Sequence, residues 1–184
     1  MRQPYVDIQV KMLEKMYQKR LNGYASMGYK AKCETNMDAH LDIIFNKDNF
    51  LPVFNQDIVA AKKEVVIVSP FIRKSRTQQM LQHLQISTGR NIRVIVVTRP
   101  KEDFKPKDHA ALQRVCDLLT NNGVSVVFIS NIHQKFVVMD QKIVWYGSIN
   151  LLSYGSAQES MMRIESANIA HELMKSIEDD KGLI

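Results

Sequence analysis

Three short apolar runs separated by helix-length segments constrain the fold more than anything else in this chain. EVVIVS (64–69), NIRVIVVT (91–98) and VSVVFIS (124–130) are rich in β-branched residues; the first predicts a buried strand and the other two a second and a third strand. A stretch after Ser75 predicts a helix between the first two. Between the second and third, Leu112, Val115 and Leu119 form a helical stripe, with Asp108 as N-cap and Gly123 as the stop. Strands alternating with helices give a parallel sheet with helices packed on it. Upstream, Phe54, Ile58 and Ala61 predict a short helix, and Val6, Val10, Leu13, Tyr17 and Leu21 an amphipathic one stopped near Asn22-Gly23. Signals from Tyr24 to Asn49 conflict. The expected division is a helical appendage over 1–49 and an α/β domain over 50–184.

After the third strand the pattern changes to a hairpin. FVVM (136–139) and IVWYG (143–147) flank the polar Asp140-Gln141-Lys142 and predict two strands joined by a tight turn. Side chains alternate along a strand, so His133 and Lys135 point the same way and bring an imidazole and an ammonium to one spot. Asp140, five residues beyond Lys135, faces away by parity and is expected to support the turn backbone. Gly147-Ser148-Ile149-Asn150 closes the second strand: the glycine allows close backbone approach, and Ser148 and Asn150 offer a hydroxyl and an amide. This combination suits an anion such as phosphate. A strand MMRIE and a last helix around Ala170 to Ile177 complete the order.

The spacing from His133 to Asn150 is HxK, four residues, D, six residues, GSxN, and it resembles the HKD motif of the phospholipase D superfamily. The motif match runs from about Val124 to Glu165, and a looser match of element order reaches back to Phe50. The resemblance implies an α/β fold with a mixed, largely parallel sheet flanked by helices, present as a single HKD half-unit that dimerises. It also implies catalytic roles. His133 would attack phosphorus and form a phosphohistidine. Lys135, Ser148 and Asn150 would stabilise the non-bridging oxygens, with Asp140 in support. Family members place an acidic residue shortly after GSxN to orient the imidazole; Glu159 is the best match here and Glu165 the weaker one.

In that superfamily a second HKD histidine acts as general acid. His40, His83, His109 and His171 have no Lys two residues on, so the second imidazole is expected from another copy, in a homodimer through the HKD face. No cofactor is expected. Nor is a metal, because no Asp, Glu and His cluster stands at ligand spacing.

Charge points to the partner. The chain carries 25 Lys plus Arg against 19 Asp plus Glu, a net charge of +6, which favours a polyanion. FIRKSR, TRPKEDFKPK and SNIHQK leave the carboxyl ends of the three strands, where ligands of open α/β sheets collect. Arg73, Lys74, Arg76, Arg99 and Lys101, with Lys105 and Lys107, are therefore candidates for a substrate-binding rim. DNA is the expected substrate, with RNA the second polynucleotide. SINLLSYGSAQESMMRIES resembles the phospholipase-D-type nuclease modules attached to helicases and restriction enzymes, which implies association with such a module. Two alternatives stay open: a phospholipid or small-phosphodiester hydrolase using the same site, and a catalytically silent DNA-binding or assembly module.

Cys33 and Cys116 have no framework spacing, and no apolar run approaches the roughly 18 residues of a membrane span. The expectation is a soluble, cytoplasmic domain without membrane contact.

Overall fold

Four consecutive apolar residues leave no side of a strand fit for water, and Phe136–Met139 (β5) is buried throughout its length. The computed structural model describes residues 44–153 and 158–178. Within them the order is β1 (Ile44–Asn46), α1 (Phe50–Ala60), β2 (Glu64–Val68), α2 (Lys74–Thr88), β3 (Arg93–Thr98), α3 (His109–Thr120), β4 (Ser125–Phe128), β5, β6 (Ile143–Gly147), β7 (Ser160–Glu165) and α4 (Ala167–Glu178). Two turns of 3-10 helix, Lys101–Asp103 and Pro106–Asp108, precede α3. The strands form one mixed sheet in the order β1-β7-β6-β5-β2-β3-β4. Its β2-β3-β4 half is parallel, as the β-α-β-α-β order requires, and the pairings from β2 through β5, β6 and β7 to β1 are antiparallel.

The period-two alternation of the central strands sorts the core into two layers. Val65, Ile67, Val137, Met139 and Trp145 face α1, α2 and α3, packing on Phe54, Ile58, Met80, Leu84, Leu112 and Leu119. Val66, Val68, Phe136, Val138 and Val144 face α4, packing on Ala170, Met174 and Ile177. Each such side chain, taken fully from water, contributes about 1.5–3 kcal/mol, so both layers hold the sheet between helices. A polar tie fixes α1. Cross-strand neighbours Trp145 and Arg163 both donate to the Asp57 carboxylate, Trp145 Nε1 at 2.8 Å and Arg163 Nε and Nη2 at 2.7 Å each.

The hairpin turn explains Asp140. Asp140 and Gln141 both take left-handed backbone, with φ of 52° and 56°, a conformation that short polar residues such as Asp tolerate best. The Lys142 N–H closes the turn on the Met139 carbonyl at 3.0 Å. The Asp140 carboxylate then accepts the backbone N–H groups of Lys62, Lys63 and Glu64 at 2.8, 2.8 and 3.0 Å. It therefore ties the hairpin to the start of β2.

Two expectations need correction. Asp108 stands at the N-cap position of α3, but its side chain makes no cap hydrogen bond. The 3-10 turn runs straight into the helix, leaving Asp108 with φ −93° and ψ −12° where a side-chain cap prefers extended backbone. A boundary at residue 49 also comes too late, because β1 pairs with β7 and belongs to the sheet. The compact unit that holds the sheet takes in the chain from Leu41 onward. The helix expected over Val6–Leu21 lies outside the described residues.

Candidate active site

Antiparallel pairing brings the two halves of the motif to one end of the sheet. Phe136, which begins β5, pairs with Val68, which ends β2, and also with Tyr146 near the end of β6. The Gly147 N–H donates to the Lys135 carbonyl at 3.2 Å, and Gly147 pairs with Met161 of β7. His133, Lys135, Ser148, Asn150 and Glu159 are thus carried by segments that enter or leave strands at the edge where β2, β3 and β4 finish. This is the ligand edge of an open α/β sheet.

His133 is exposed on the loop between β4 and β5, beside the buried Ile132 that holds the loop to the core. Lys135 is half-buried and its Nζ donates to the His133 carbonyl at 3.0 Å, a bond that braces the loop and fixes the ammonium close to the histidine. Gly147 is obligatory on steric grounds. A Cβ there would stand 2.1 Å from the Ser160 carbonyl oxygen and 2.8 Å from the Met161 Cα. The Ser148 N–H donates to the Ser160 carbonyl at 2.9 Å, and its hydroxyl oxygen accepts the Ser160 N–H at 3.0 Å. Ser148 therefore joins the motif to β7.

Asn150 is half-buried between the buried Ile149 and Leu151. Its Oδ1 and the Oε2 of Glu159 are buried without a hydrogen-bond partner among the described residues. Desolvated oxygens of this kind are costly unless a ligand or second molecule supplies a donor. No hydrogen bond joins Glu159 to His133 among the described residues. Glu165, the weaker choice, is removed from the site: it pairs with Lys142 at 2.6 Å, opposite Ile143 at the hairpin-turn end of the sheet. Asp140 lies at that same far end.

The rim divides into free and committed cations. Arg73, Lys74 and Lys101, with Lys105 and Lys107, are exposed. Arg76 is 7% exposed, so placing it on the rim needs correction. Its Nε donates to the Leu151 carbonyl at 3.1 Å, bracing the segment just after Asn150. The Arg73 N–H donates to the Leu152 carbonyl at 2.8 Å, and the Ser69 hydroxyl accepts the Leu152 N–H at 3.4 Å. Arg99 is also committed. Its Nε pairs with Asp103 Oδ2 at 2.9 Å, and its guanidinium lies 5.6 Å from the centroids of both Phe71 and Phe104.

Asp103 is a positioning residue that motif reading missed, though its i,i+4 spacing from Arg99 was a signal for their pair. Its Oδ2 accepts the Asn131 N–H at 2.8 Å, two residues before His133. That N–H first, and the Arg99 hydrogen bond second, hold its carboxyl below the usual carboxylate range. Among the described residues no group of three or more His, Cys, Asp or Glu side chains could hold a metal ion. No helix among them is long and apolar enough to cross a membrane.

Comparison with known proteins bears on the fold and the family. The family model described as "Cardiolipin synthase, PLD-like domain" matches residues 54–181, well over half of the chain. Nuc from Salmonella typhimurium, a phospholipase D family member, superposes with a TM-score of 0.59 at 16% identity, covering 74% of this chain and 91% of Nuc. NucT from Helicobacter pylori gives 0.60 at 15% identity, over 74% of this chain and 92% of NucT. The archaeal chromatin protein TrmBL2 gives 0.50 at 10% identity, over 93% of this chain and 61% of TrmBL2. At these identities the likeness is one of fold. No curated protein sequence is significantly similar to the chain. Its residues 54–181 and the sheet that carries His133 and Lys135 place the chain in the phospholipase D-like family.

Proposed function

We propose that the chain is a phosphodiesterase that cuts DNA through a phosphohistidine intermediate, at a site completed by a second copy of itself. The observation that carries the proposal is the exposed His133 at the ligand edge of the sheet, in the same cluster of segments as Lys135 and Asn150. Family membership supports phosphodiester chemistry in general. The net charge of +6 and the exposed Arg73, Lys74 and Lys101 favour a polynucleotide over a small neutral substrate.

The residues suggest the following sequence. A ring nitrogen of His133 attacks phosphorus, and the P–O bond to the departing sugar oxygen breaks. The second copy's His133, protonated, gives that oxygen its proton. Water then attacks the phosphohistidine, the second imidazole takes the water's proton, and the N–P bond breaks to release a phosphomonoester. Lys135, Asn150 and the Ser148 hydroxyl balance charge on the non-bridging oxygens, and Glu159, which makes no hydrogen bond to His133 in the single chain, takes up the nucleophilic ring once the second copy completes the site. No step requires a metal ion.

A second copy is favoured by two features. The orphaned oxygens of Asn150 and Glu159 lack donors among the described residues. In addition, Tyr146, Met162 and Ile44 form one cross-strand row on β6, β7 and β1, exposed to 44%, 38% and 66%, on the sheet face that carries α4. Such a contiguous apolar row is suited to an isologous contact.

The test is plasmid nicking in excess EDTA by the intact protein and by His133→Ala. Cutting that the substitution abolishes while DNA binding persists supports the reading, and no cutting of any polynucleotide by the intact protein refutes it. Because the matching family description names cardiolipin synthase, a phospholipid is the second reading. Salt separates the two. DNA cleavage falls steeply between about 50 and 200 mM salt as counterion release ceases to favour binding, whereas turnover of a short-chain phospholipid does not.

A further inference from the structure

Beside the motif lies a cleft that the proposed chemistry leaves unused. It encloses about 430 Å³, within the roughly 300–1,000 Å³ of small-molecule sites. Two phenyl rings line it. Phe71 follows β2 and Phe104 follows the first 3-10 turn; their centroids are 6.0 Å apart and their planes meet at 85°. The Arg99 guanidinium lies 5.6 Å from both centroids and is itself held by Asp103, so the rings are preorganised. Phe71 remains 37% exposed.

The charged side chains that line the cleft have one sign, with a single exception. Arg73, Lys74 and Arg114 line the cleft and are exposed, and no hydrogen bond or ion pair engages their side chains among the described residues. Asp108 is the one carboxylate in the lining. Ser153, also in the lining, donates its N–H to the Asn150 carbonyl at 2.9 Å, so the cleft begins within one turn of the motif. Exposed aromatic surface beside unpaired cations matches an unstacked base attached to a phosphate-sugar backbone. A stacked duplex offers no free base face to such a cleft.

We infer that the Phe71–Phe104 cleft receives an unpaired base of a single-stranded polynucleotide, close to the phosphate that His133 attacks. This inference rests on the nuclease reading and adds a strand preference to it. The experiment compares binding of the full chain to an oligothymidylate and to an abasic oligomer of equal length, which keeps the phosphates and lacks the bases. Stacking on one ring predicts at least about fivefold tighter binding of the oligothymidylate. Phe71→Leu should remove that advantage and leave abasic binding unchanged.

Phe71→Trp supplies an independent readout should the leucine variant fold poorly. The fluorescence of the introduced indole should be quenched by the oligothymidylate and not by the abasic oligomer. Equal binding of both oligomers by the intact protein, or an indole signal indifferent to bases, overturns the base cleft while the nuclease reading stands. Absence of binding to either oligomer, together with absence of cleavage, overturns that reading and the inference with it.

Discussion

A methyl group on Gly147 would stand 2.1 Å from the carbonyl oxygen of Ser160, because β6 and β7 close against each other where the motif leaves the sheet. The obstacle is backbone, which cannot swing aside as a side chain can. Gly147→Ala should therefore cost about 1–3 kcal/mol or more and displace Ser148 and Asn150. A lowered Tm together with at least tenfold slower nicking is the expected outcome; an unchanged Tm would contradict the packing.

Asp140 serves stability from the far end of the sheet. Partial burial pushes its carboxyl up, but the backbone N–H groups of Glu64, Lys63 and Lys62 outweigh that and hold it below its ordinary value. Its folded pKa is depressed, so its contribution is fully present above the unfolded value of about 3.9 and disappears as pH falls through the folded one. Asp140→Ala should cost about 1–3 kcal/mol at pH 7, with the cost shrinking in acid. Denaturant melts at several pH values check this, and the folded fraction should cut DNA at the normal rate.

The exposed and committed cations of the rim should behave differently. Arg73→Gln, Lys74→Gln or Lys101→Gln should each reduce the slope of log binding constant against log salt by up to about 1, the signature of a lost phosphate contact. Arg76→Gln should leave the slope in place and lower stability, since it frees the Leu151 carbonyl. Binding titrations at four or five salt concentrations distinguish the two classes.

That difference also marks how far the sequence could be read. Lys135 and Gly147 meet because the tight hairpin pairs β5 with β6, a local property visible in the residues, whereas His133 lies on the loop ahead of β5, where strand parity does not apply. The three strands with their intervening helices were legible for the same reason. Arg76 and Arg99 were not, because composition counts cations without revealing which one meets a buried carbonyl or a carboxylate. β1 escaped too: three residues, Ile44–Asn46, are too few for periodicity, and their pairing with β7 is a long-range event. The braces at Ser69 and Asp103 depend on loops meeting in space, so no motif announces them.

Because the proposed nucleophile and acid are both imidazoles, excess EDTA should leave the rate unchanged. Nicking assays with and without chelator test this directly. Loss of cutting in EDTA, restored by a divalent ion, would place the chemistry elsewhere.

The shared site is tested most directly by a purified heterodimer of one intact and one His133→Ala subunit, assembled from differently tagged chains and assayed beside the intact homodimer. In the proposed mechanism each phosphate requires one imidazole to attack and another to protonate the departing oxygen, so the heterodimer should be slower by at least about a hundredfold. Half the activity of the intact dimer, or full activity in a chain that stays monomeric, would contradict the account.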